Sequence, residues 1–320
     1  MKKNRRVILG IDGTNVAFRY LAIKEPSYPP IVSMLNDIAK ICKNLKPDEL
    51  FIAEGYKSRE ARRKIFPDYK ANRDVENKYS FTIKEIKKQV AQFDEHISRA
   101  LPMRQLRIDF LEADDSLALL SRHYYSASNE NVVILVSTDK DYYQLVNDRV
   151  FVFDPKKRKL HTPKELYEEF GIKNPKNYAV KAICGDPADN IGGVKSIGFK
   201  TFGKLLGDSM ASDEVTIDQI TEKLNTKKPV NIDEVKKFFS IIQLHKTLTL
   251  EGLTQFNHIL TEDFIYDFND EEFAAIMEQA HVDFIKYNSS MIKRIAIVMN
   301  EFVVRKQLER NLKGTYDIIA

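Results

Sequence analysis

Nine carboxylates stand where chemistry is expected, most of them directly behind apolar runs. Val132-Val133-Ile134-Leu135-Val136 empties into Ser137-Thr138-Asp139-Lys140-Asp141, Val7-Ile8-Leu9-Gly10-Ile11 ends at Asp12, and Leu50-Phe51-Ile52-Ala53 ends at Glu54. The run Leu106-Arg107-Ile108-Asp109-Phe110-Leu111 ends at Glu112, with Asp114 and Asp115 just behind, and Asp186 and Asp189 follow in Gly185-Asp186-Pro187-Ala188-Asp189-Asn190. Aliphatic runs without polar alternation read as strands buried on both faces. Open parallel sheets bind ligands beyond the carboxyl ends of their strands. One acid behind a strand is an ordinary helix cap, but four strands of four are hard to obtain from capping alone.

Brought together, these acids cannot all stay bare anions, because like charges at contact distance raise one another's pKa. Divalent cations resolve the conflict. All-oxygen donors without His or Cys suit hard ions, Mg²⁺ with Mn²⁺ as substitute. Two such ions about 4 Å apart clamp the attacking and leaving oxygens of an in-line displacement at phosphorus, so phosphodiester hydrolysis is the leading reaction. Asp139 and Asp141, like Glu112 and Asp114, share a face if extended; Asp186 and Asp189 share a face if helical.

Composition agrees with a polyanionic ligand. Lys and Arg exceed Asp and Glu by four over 320 residues; with the nine acids set aside, 50 basic residues face 37 acidic ones. Such a basic surface around a concentrated acidic spot suits nucleic acid, although solvating lysines alone would give the same totals. The start Met1-Lys2-Lys3-Asn4-Arg5-Arg6 lacks the apolar run of a signal peptide, and no apolar stretch is long enough to span a bilayer. A soluble, cytoplasmic protein is expected. Cys42 lies on the apolar stripe Ile31, Met34, Leu35, Ile38, Leu45 and reads as core, and the six histidines are scattered without zinc spacing.

The elements that must position the acids follow in order. Strand, helix (about 31–45) and strand up to Glu54 form a βαβ unit. Residues 57–104 carry 13 Lys/Arg against 7 Asp/Glu, and Ile83, Ile86, Val90, Phe93 and Ile97 give their second half a helical seam. This is either an ordinary surface helical pair or a basic helical insertion over the strand ends that grips phosphates. A helix from Ala113 to Tyr125 precedes the strand 132–136, and Val150-Phe151-Val152-Phe153 is a further strand followed by a basic hairpin. Thr162-Pro163-Lys164-Glu165 is a capping box with Pro at the first helical position. In Gly192-Gly193-Val194-Lys195-Ser196-Ile197-Gly198-Phe199-Lys200-Thr201-Phe202-Gly203-Lys204 the glycines permit close backbone approach to phosphate and the lysines arrive without an intervening acid. It is not a nucleotide P-loop, since Phe199 separates Gly198 from Lys200-Thr201 and no buried strand precedes it. Beyond about Ser212 the pattern is an all-helical appendage without catalytic motifs.

Five motifs, Ile11-Asp12-Gly13-Thr14, Tyr69-Lys70-Ala71-Asn72-Arg73, Glu112-Ala113-Asp114-Asp115, Ser137-Thr138-Asp139-Lys140-Asp141 and Gly185-Asp186-Pro187-Ala188-Asp189-Asn190, stand in the order and spacing of one family. Over roughly residues 6–250 the chain resembles the 5′ nucleases, that is, the flap endonucleases of bacteriophages and the 5′ nuclease domain of bacterial DNA polymerase I. The resemblance implies an α/β fold: a mostly parallel central sheet flanked by helices (a PIN-like core, residues 1–172), with a helical arch inserted at about 57–105. A helical region, 173–320, would hold a helix-hairpin-helix motif at about 178–208 and the C-terminal helices.

It further implies a nuclease that cuts near the junction of a 5′ single strand and duplex, leaves a 5′ phosphate, and removes RNA primers or flaps. By that likeness Asp12, Glu54, Glu112, Asp114 and Asp139 surround one metal, Asp141, Asp186 and Asp189 hold the second directly or through water, and Asp115 is either shared or behind the direct ligands. Lys70 and Arg73 resemble the arch-base pair on the scissile phosphate, and Tyr69 the aromatic on which the terminal base stacks. Gly193, Lys195, Gly198, Lys200 and Lys204 resemble the hairpin that holds duplex phosphates with a bound K⁺. Glu54 stands where relatives usually have Asp, and Ser196 where the hairpin frequently has Gly. Branched, 5′-flap and RNA-primed DNA are the implied substrates. The implied setting is a monomer, with replication proteins docking on the C-terminal helices, in host cytoplasm if phage-encoded. A non-catalytic junction-DNA-binding protein of the same fold is the competing reading, but concentrated negative charge facing DNA would give such a module nothing. An RNA-directed PIN-like nuclease is a third, and that class lacks the hairpin segment.

Overall fold

The computed structural model describes residues 5–18, 30–55, 59–74, 101–194, 197–198, 201, 204, 214–225, 231–244, 249–262, 267–269, 271–273, 275 and 289–319. Its centre is a six-stranded sheet of β1 (Val7–Asp12), β2 (Glu49–Ala53), β3 (Arg104–Leu106), β4 (Val132–Val136), β5 (Val150–Asp154) and β6 (Lys159–His161), in spatial order β3-β2-β1-β4-β5-β6. The first five strands run parallel, and β6 returns antiparallel to β5 through the expected basic hairpin. The chain builds outward from β1 to β3, then restarts on the other side at β4. The carboxyl ends of β1 and β4 therefore flank the topological switch point where open α/β sheets place ligands.

Register brings the strand ends level. Asp12 lies opposite Ala53, and Ile11 opposite Val136, so Glu54, Asp12 and Ser137 to Asp139 leave the sheet along one rim. Alternate side chains enter two cores. Ile8, Phe51, Val133 and Leu135 pack against the helix Ala113–Ala127. Leu9, Ile11, Ile52, Ile134 and Val136 face the opposite side with Met34, Leu35, Ile38 and Cys42. Burial on both faces is why these strands lack polar alternation.

Among the described residues the helices are α1 (Gly13–Phe18), α2 (Pro30–Leu45), α3 (Arg59–Ile65), α4 (Ala113–Ala127), α5 (Pro163–Phe170), α6 (Ile217–Asn225), α7 (Ile232–Ile242), α8 (Leu250–Thr261) and α9 (Ser289–Ile319). The capping box forms at α5, where the Thr162 hydroxyl and Glu165 carboxylate satisfy each other's backbone donors, and Gly171 closes the helix at φ 70°. Cys42 is core, as expected: α9 lays Ile295, Val298, Met299, Phe302 and Val303 over α2. Among the described residues no helix is long and apolar enough to cross a membrane.

One strand departs from expectation. The run 106–111 does not continue in the sheet. Beyond Leu106 the Asp109 N–H donates to Gln255 Oε1 of α8 at 2.9 Å, Phe110 takes a left-handed φ of 65°, and Leu111 turns back to the Ile108 carbonyl at 3.2 Å. Glu112 thus enters the rim as the residue before α4, in extended conformation, and not as a strand end. The helical seam from Ile83 to Ile97, and Lys195, Ser196, Phe199 and Lys200 of the hairpin, lie outside the described residues.

Candidate active site

Asp12 and Asp139 are set by side chains of the two strand ends they follow. Asp12 Oδ1 accepts from the Asn15 N–H at 3.1 Å, which turns the chain into α1, while Oδ2 accepts from the hydroxyls of Ser137 (3.2 Å) and Tyr142 (3.0 Å). Asn15 Oδ1 in turn accepts from the N–H and hydroxyl of Thr138, at 2.9 and 2.8 Å. Four hydrogen bonds thereby lock β1 to β4 across the switch point. Burial, with the nearby charges of Asp139 and Asp114, pushes the Asp12 carboxyl up to about 7 against the opposing Asn15 and Tyr142 bonds. Glu54 accepts the Thr14 hydroxyl and crosses Gly13 so closely that a Cβ there would lie 1.8 Å from its Oε1. The longer Glu therefore requires glycine beside it.

Glu112, Asp114 and Asp115 converge on one buried cation that the sequence did not single out, Arg62 of α3. Its Nη1 contacts Glu112 Oε2 and, at 3.3 Å, Asp114 Oδ1; Nη2 donates to Asp115 Oδ1 at 3.0 Å. Its Nε donates to the Ile241 carbonyl at the end of α7, at 3.2 Å. Only the basic run Arg59 to Lys64 signalled such a residue, and nothing separates Arg62 from Arg59 or Arg63 until burial is known. One guanidinium shared among three acids leaves them unequal. Burial disfavours ionised Glu112, but Arg62, Lys70 and the Tyr69 hydroxyl together hold its carboxyl down at about 2. Burial pushes Asp115 up to about 7 and raises Asp114 in spite of Arg62, and Glu112 beside them adds to both shifts.

Asp141, Asp186 and Asp189 form a second group. One oxygen from each lies within 4.8 Å of the others. Asp139 Oδ1 caps the short 3-10 helix Lys140–Leu145 by accepting the Asp141 N–H at 2.9 Å. Gln144 fixes that helix by donating to the Asp141 and Ile242 carbonyls, at 2.8 and 3.1 Å. Asp186 and Asp189 sit on a tight turn closed by reciprocal backbone bonds between Asp186 and Ile191, both 2.9 Å. Gly185 (φ 78°) and Gly193 make that turn possible, since a Cβ on Gly193 would fall 2.4 Å from the Cys184 carbonyl carbon. Gly193, expected to free backbone for a phosphate, also lies against its own chain on the side a Cβ would take. Gly198 has open space around its Cα, as a phosphate contact requires, and Lys204 is helical and exposed.

Lys70 joins the two groups. Its Nζ is 2.7 Å from Glu112 Oε2 and 3.9 Å from Asp189 Oδ1. The segment 68–72 is stitched to the turn 186–190 by Lys70 N–H to Asp189 carbonyl (3.0 Å), Asn190 Nδ2 to Asp68 carbonyl (2.9 Å) and Asn72 Nδ2 to Pro187 carbonyl (2.6 Å). Arg73 follows within the 3-10 turn Ala71–Asp74. Tyr69 departs from its expected role. Its ring is 1 % exposed, packed with Ala182, Ile191, Phe238 and Ile241, and its hydroxyl donates to Glu112 Oε2 at 2.8 Å. It orients a carboxylate here and offers no face to a base. The helices after residue 212, expected as an all-helical appendage, reach the site through α7, whose Ile241 and Ile242 carbonyls accept from Arg62 and Gln144.

This donor set fits divalent metal ions. Every candidate ligand is a carboxylate oxygen, and both groups, Asp141 with Asp186 and Asp189 and Glu112 with Asp114 and Asp115, crowd like charges at close range.

The comparisons agree with the architecture. A family profile described as "5′-3′ exonuclease, N-terminal resolvase-like domain" matches residues 7–171. The thermostable DNA polymerase I of Thermus thermophilus is 31% identical over 236 residues, 72% of this chain but 26% of that one, so the chain spans about a quarter of that relative. The flap endonuclease of Escherichia phage T5 is 32% identical over 209 residues, 62% of this chain and 68% of that one. A Bacillus subtilis 5′-3′ exonuclease is 26% identical over 262 residues, 77% and 83% of the two chains. In three dimensions the bacteriophage T5 flap endonuclease, solved with DNA and metal ions, superposes with a TM-score of 0.58 at 21% identity over 86% of this chain and 100% of that one. With more than half of its residues matched by the profile, and with relatives in accord, the chain belongs to the 5′-3′ exonuclease family.

Proposed function

We propose that this chain is a metal-dependent, structure-specific 5′ nuclease, acting as flap endonuclease and 5′-3′ exonuclease on branched or RNA-primed DNA and removing primers or 5′ flaps in replication. The observation that carries the reading is the convergence of Asp141, Asp186 and Asp189 within 4.8 Å, joined through Lys70 to Glu112 beside the switch-point pair Asp12 and Asp139. Relatives named 5′-3′ exonuclease and flap endonuclease support it, as does the T5 enzyme solved with DNA and metal ions.

Asp12, Glu54, Glu112, Asp114 and Asp139 would hold one Mg²⁺; Asp141, Asp186 and Asp189 would hold a second, with Asp115 shared and Mn²⁺ able to substitute. Bound there, the ions supply an activated water and charge neutralisation for an in-line displacement. The chain's own residues do the positioning. Ser137, Asn15 and Tyr142 hold Asp12 in one orientation, and Tyr69 does so for Glu112. Lys70 puts a positive charge between the two acid groups, where a scissile phosphate would develop charge, with Arg73 in the following turn. Gly193, Gly198 and Lys204, with Lys195 and Lys200, would hold duplex phosphates, with a K⁺ at the hairpin. The division into a core of 1–172 and a helical DNA-binding region of 173–320, monomeric and cytoplasmic action, and docking of replication proteins on the C-terminal helices belong to the same proposal.

Incubation of a 5′-labelled flap substrate with the protein and Mg²⁺ tests it. Cleavage near the junction with a 5′ phosphate on the product is expected. Uncut but bound substrate at enzyme excess removes the nuclease and leaves a junction-binding protein.

A further inference from the structure

Arg62 is the most heavily engaged cation near the proposed metal centre. Its guanidinium touches Glu112, Asp114 and Asp115, its Nε reaches the Ile241 carbonyl, and it is only 7 % exposed. The oxygens facing it are oxygens that an ion bound among these acids would use. A carboxylate that gives its inner lone pairs to a guanidinium cannot give the same ones to a compact divalent cation, and two positive charges crowded into one buried site repel strongly. Resting on the metal-centre reading above, we propose that Arg62 is a positioning residue which serves as the internal counter-cation of Glu112, Asp114 and Asp115. Arg62 must withdraw when a divalent ion takes them, so that metal loading loosens α3 from the site.

The surroundings of α3 suit such an exchange. The helix is short, Arg59–Ile65; Ile65 and the following Phe66 pack against the cluster that includes Phe238, Ile241 and Ile242 of α7, with the Phe66 and Phe238 rings 5.3 Å apart edge to face. Arg62 ties it to the acids on one side and to α7 on the other, while Arg63 Nε donates to the Tyr69 carbonyl at 3.2 Å. Lys70 remains on Glu112 without Arg62, held by its own backbone bond to Asp189. A displaced Arg62 becomes a free guanidinium on a basic segment beside the site, available to a phosphate of the substrate. Ion binding and phosphate grip would then be coupled through one side chain.

The test uses the full chain and Mn²⁺, with binding followed by calorimetry and by the electron spin signal of the free ion. Arg62→Gln is expected to bind Mn²⁺ at least about tenfold more tightly than the unsubstituted protein, with Arg62→Lys in between. Hydrogen exchange in the unsubstituted protein, which needs no variant to fold, is expected to quicken at residues 60–65 when Mn²⁺ saturates. Unchanged or weakened Mn²⁺ affinity in Arg62→Gln, or α3 exchange indifferent to Mn²⁺, overturns the exchange while leaving the metal centre standing. Absence of Mn²⁺ binding in every protein removes the metal centre and this inference with it.

Discussion

Lys70 holds Asp189 twice, donating its N–H to the Asp189 carbonyl at 3.0 Å while its ammonium stands 3.9 Å from the Asp189 carboxylate. To do so it adopts φ 55°, a left-handed conformation that costs an L-residue roughly 1–2 kcal/mol. Such strain persists where the surroundings over-determine it, and here the Asn190–Asp68 and Asn72–Pro187 bonds on either side do so. The strained residue is the one that bridges the two acid groups.

Lys70→Ala keeps these backbone stitches and removes the charge. Turnover on a 5′ flap should fall about 10²- to 10³-fold, the usual cost of deleting a donor aimed at developing charge. Flap binding measured in Ca²⁺ should change far less. Equal losses in rate and binding would reduce Lys70 to an anchor.

Asp139→Asn should abolish cleavage and leave the fold and DNA binding in Ca²⁺ or EDTA nearly intact. An amide oxygen can still accept the Asp141 N–H that Asp139 Oδ1 receives at 2.9 Å, so the cap of the following helix survives while the negative charge is lost. A fully active Asp139→Asn protein contradicts the metal assignment.

The rim of the sheet was legible because residue type and spacing encode it. A β-branched run such as 132–136 reads as a strand buried on both faces, and the acids behind β1, β2 and β4 lie where the switch point puts ligands. What escaped is tertiary. The 106–111 run has strand composition, yet Gln255, distant in sequence, takes its Asp109 N–H. Tyr69 reads as a stacking ring until Phe238 and Ile241 cover it. Arg62 differs from Arg59 and Arg63 only in pointing inward, and its partner on α7 is a backbone carbonyl, which no residue type announces. The closeness of Gly193 to the Cys184 backbone, a chain reversal away, is likewise not announced by residue type.

Gly13→Ala tests the placement of Glu54. The added Cβ would lie 1.8 Å from Glu54 Oε1 and 2.9 Å from Ile52 Cγ1, so Glu54 must leave its seat on the Thr14 hydroxyl. A stability loss of about 1–3 kcal/mol, as for other overpacked sites, is expected in denaturant unfolding, together with weaker Mg²⁺ dependence of cleavage. Unaltered stability and activity would show that Glu54 moves aside without consequence and is no ligand.

Asp12 gives a pH dependence whose sign is fixed. Its carboxyl is pushed up to about 7 in the folded protein from an ordinary 3.8, chiefly by burial. Between those values the folded state holds a proton that the unfolded state has released, so stability from this group is full at pH 4, falls as pH rises toward 7, and is level above. Asp115, also pushed up to about 7, acts in the same direction, whereas Glu112 at about 2 changes stability only below its ordinary 4.5. In EDTA the melting temperature should therefore drop between pH 5 and pH 8. Asp12→Asn should remove part of that drop, gaining a few kcal/mol at most at pH 8, at about 1.4 kcal/mol per pKa unit, and losing its advantage near pH 4. The hydroxyls of Ser137 and Tyr142, which donate to Asp12 Oδ2, can turn to accept from the new amide, and any cost of redirecting their own protons subtracts from the gain. Saturating Mg²⁺ should restore the parent's stability at pH 8 and do little for Asp12→Asn, because an ion that binds only the folded state stabilises it by mass action. An Asp12→Asn protein no more stable than its parent in EDTA at pH 8 would mean that the rim tolerates its negative charge unaided, and the physical case for ions there would fall.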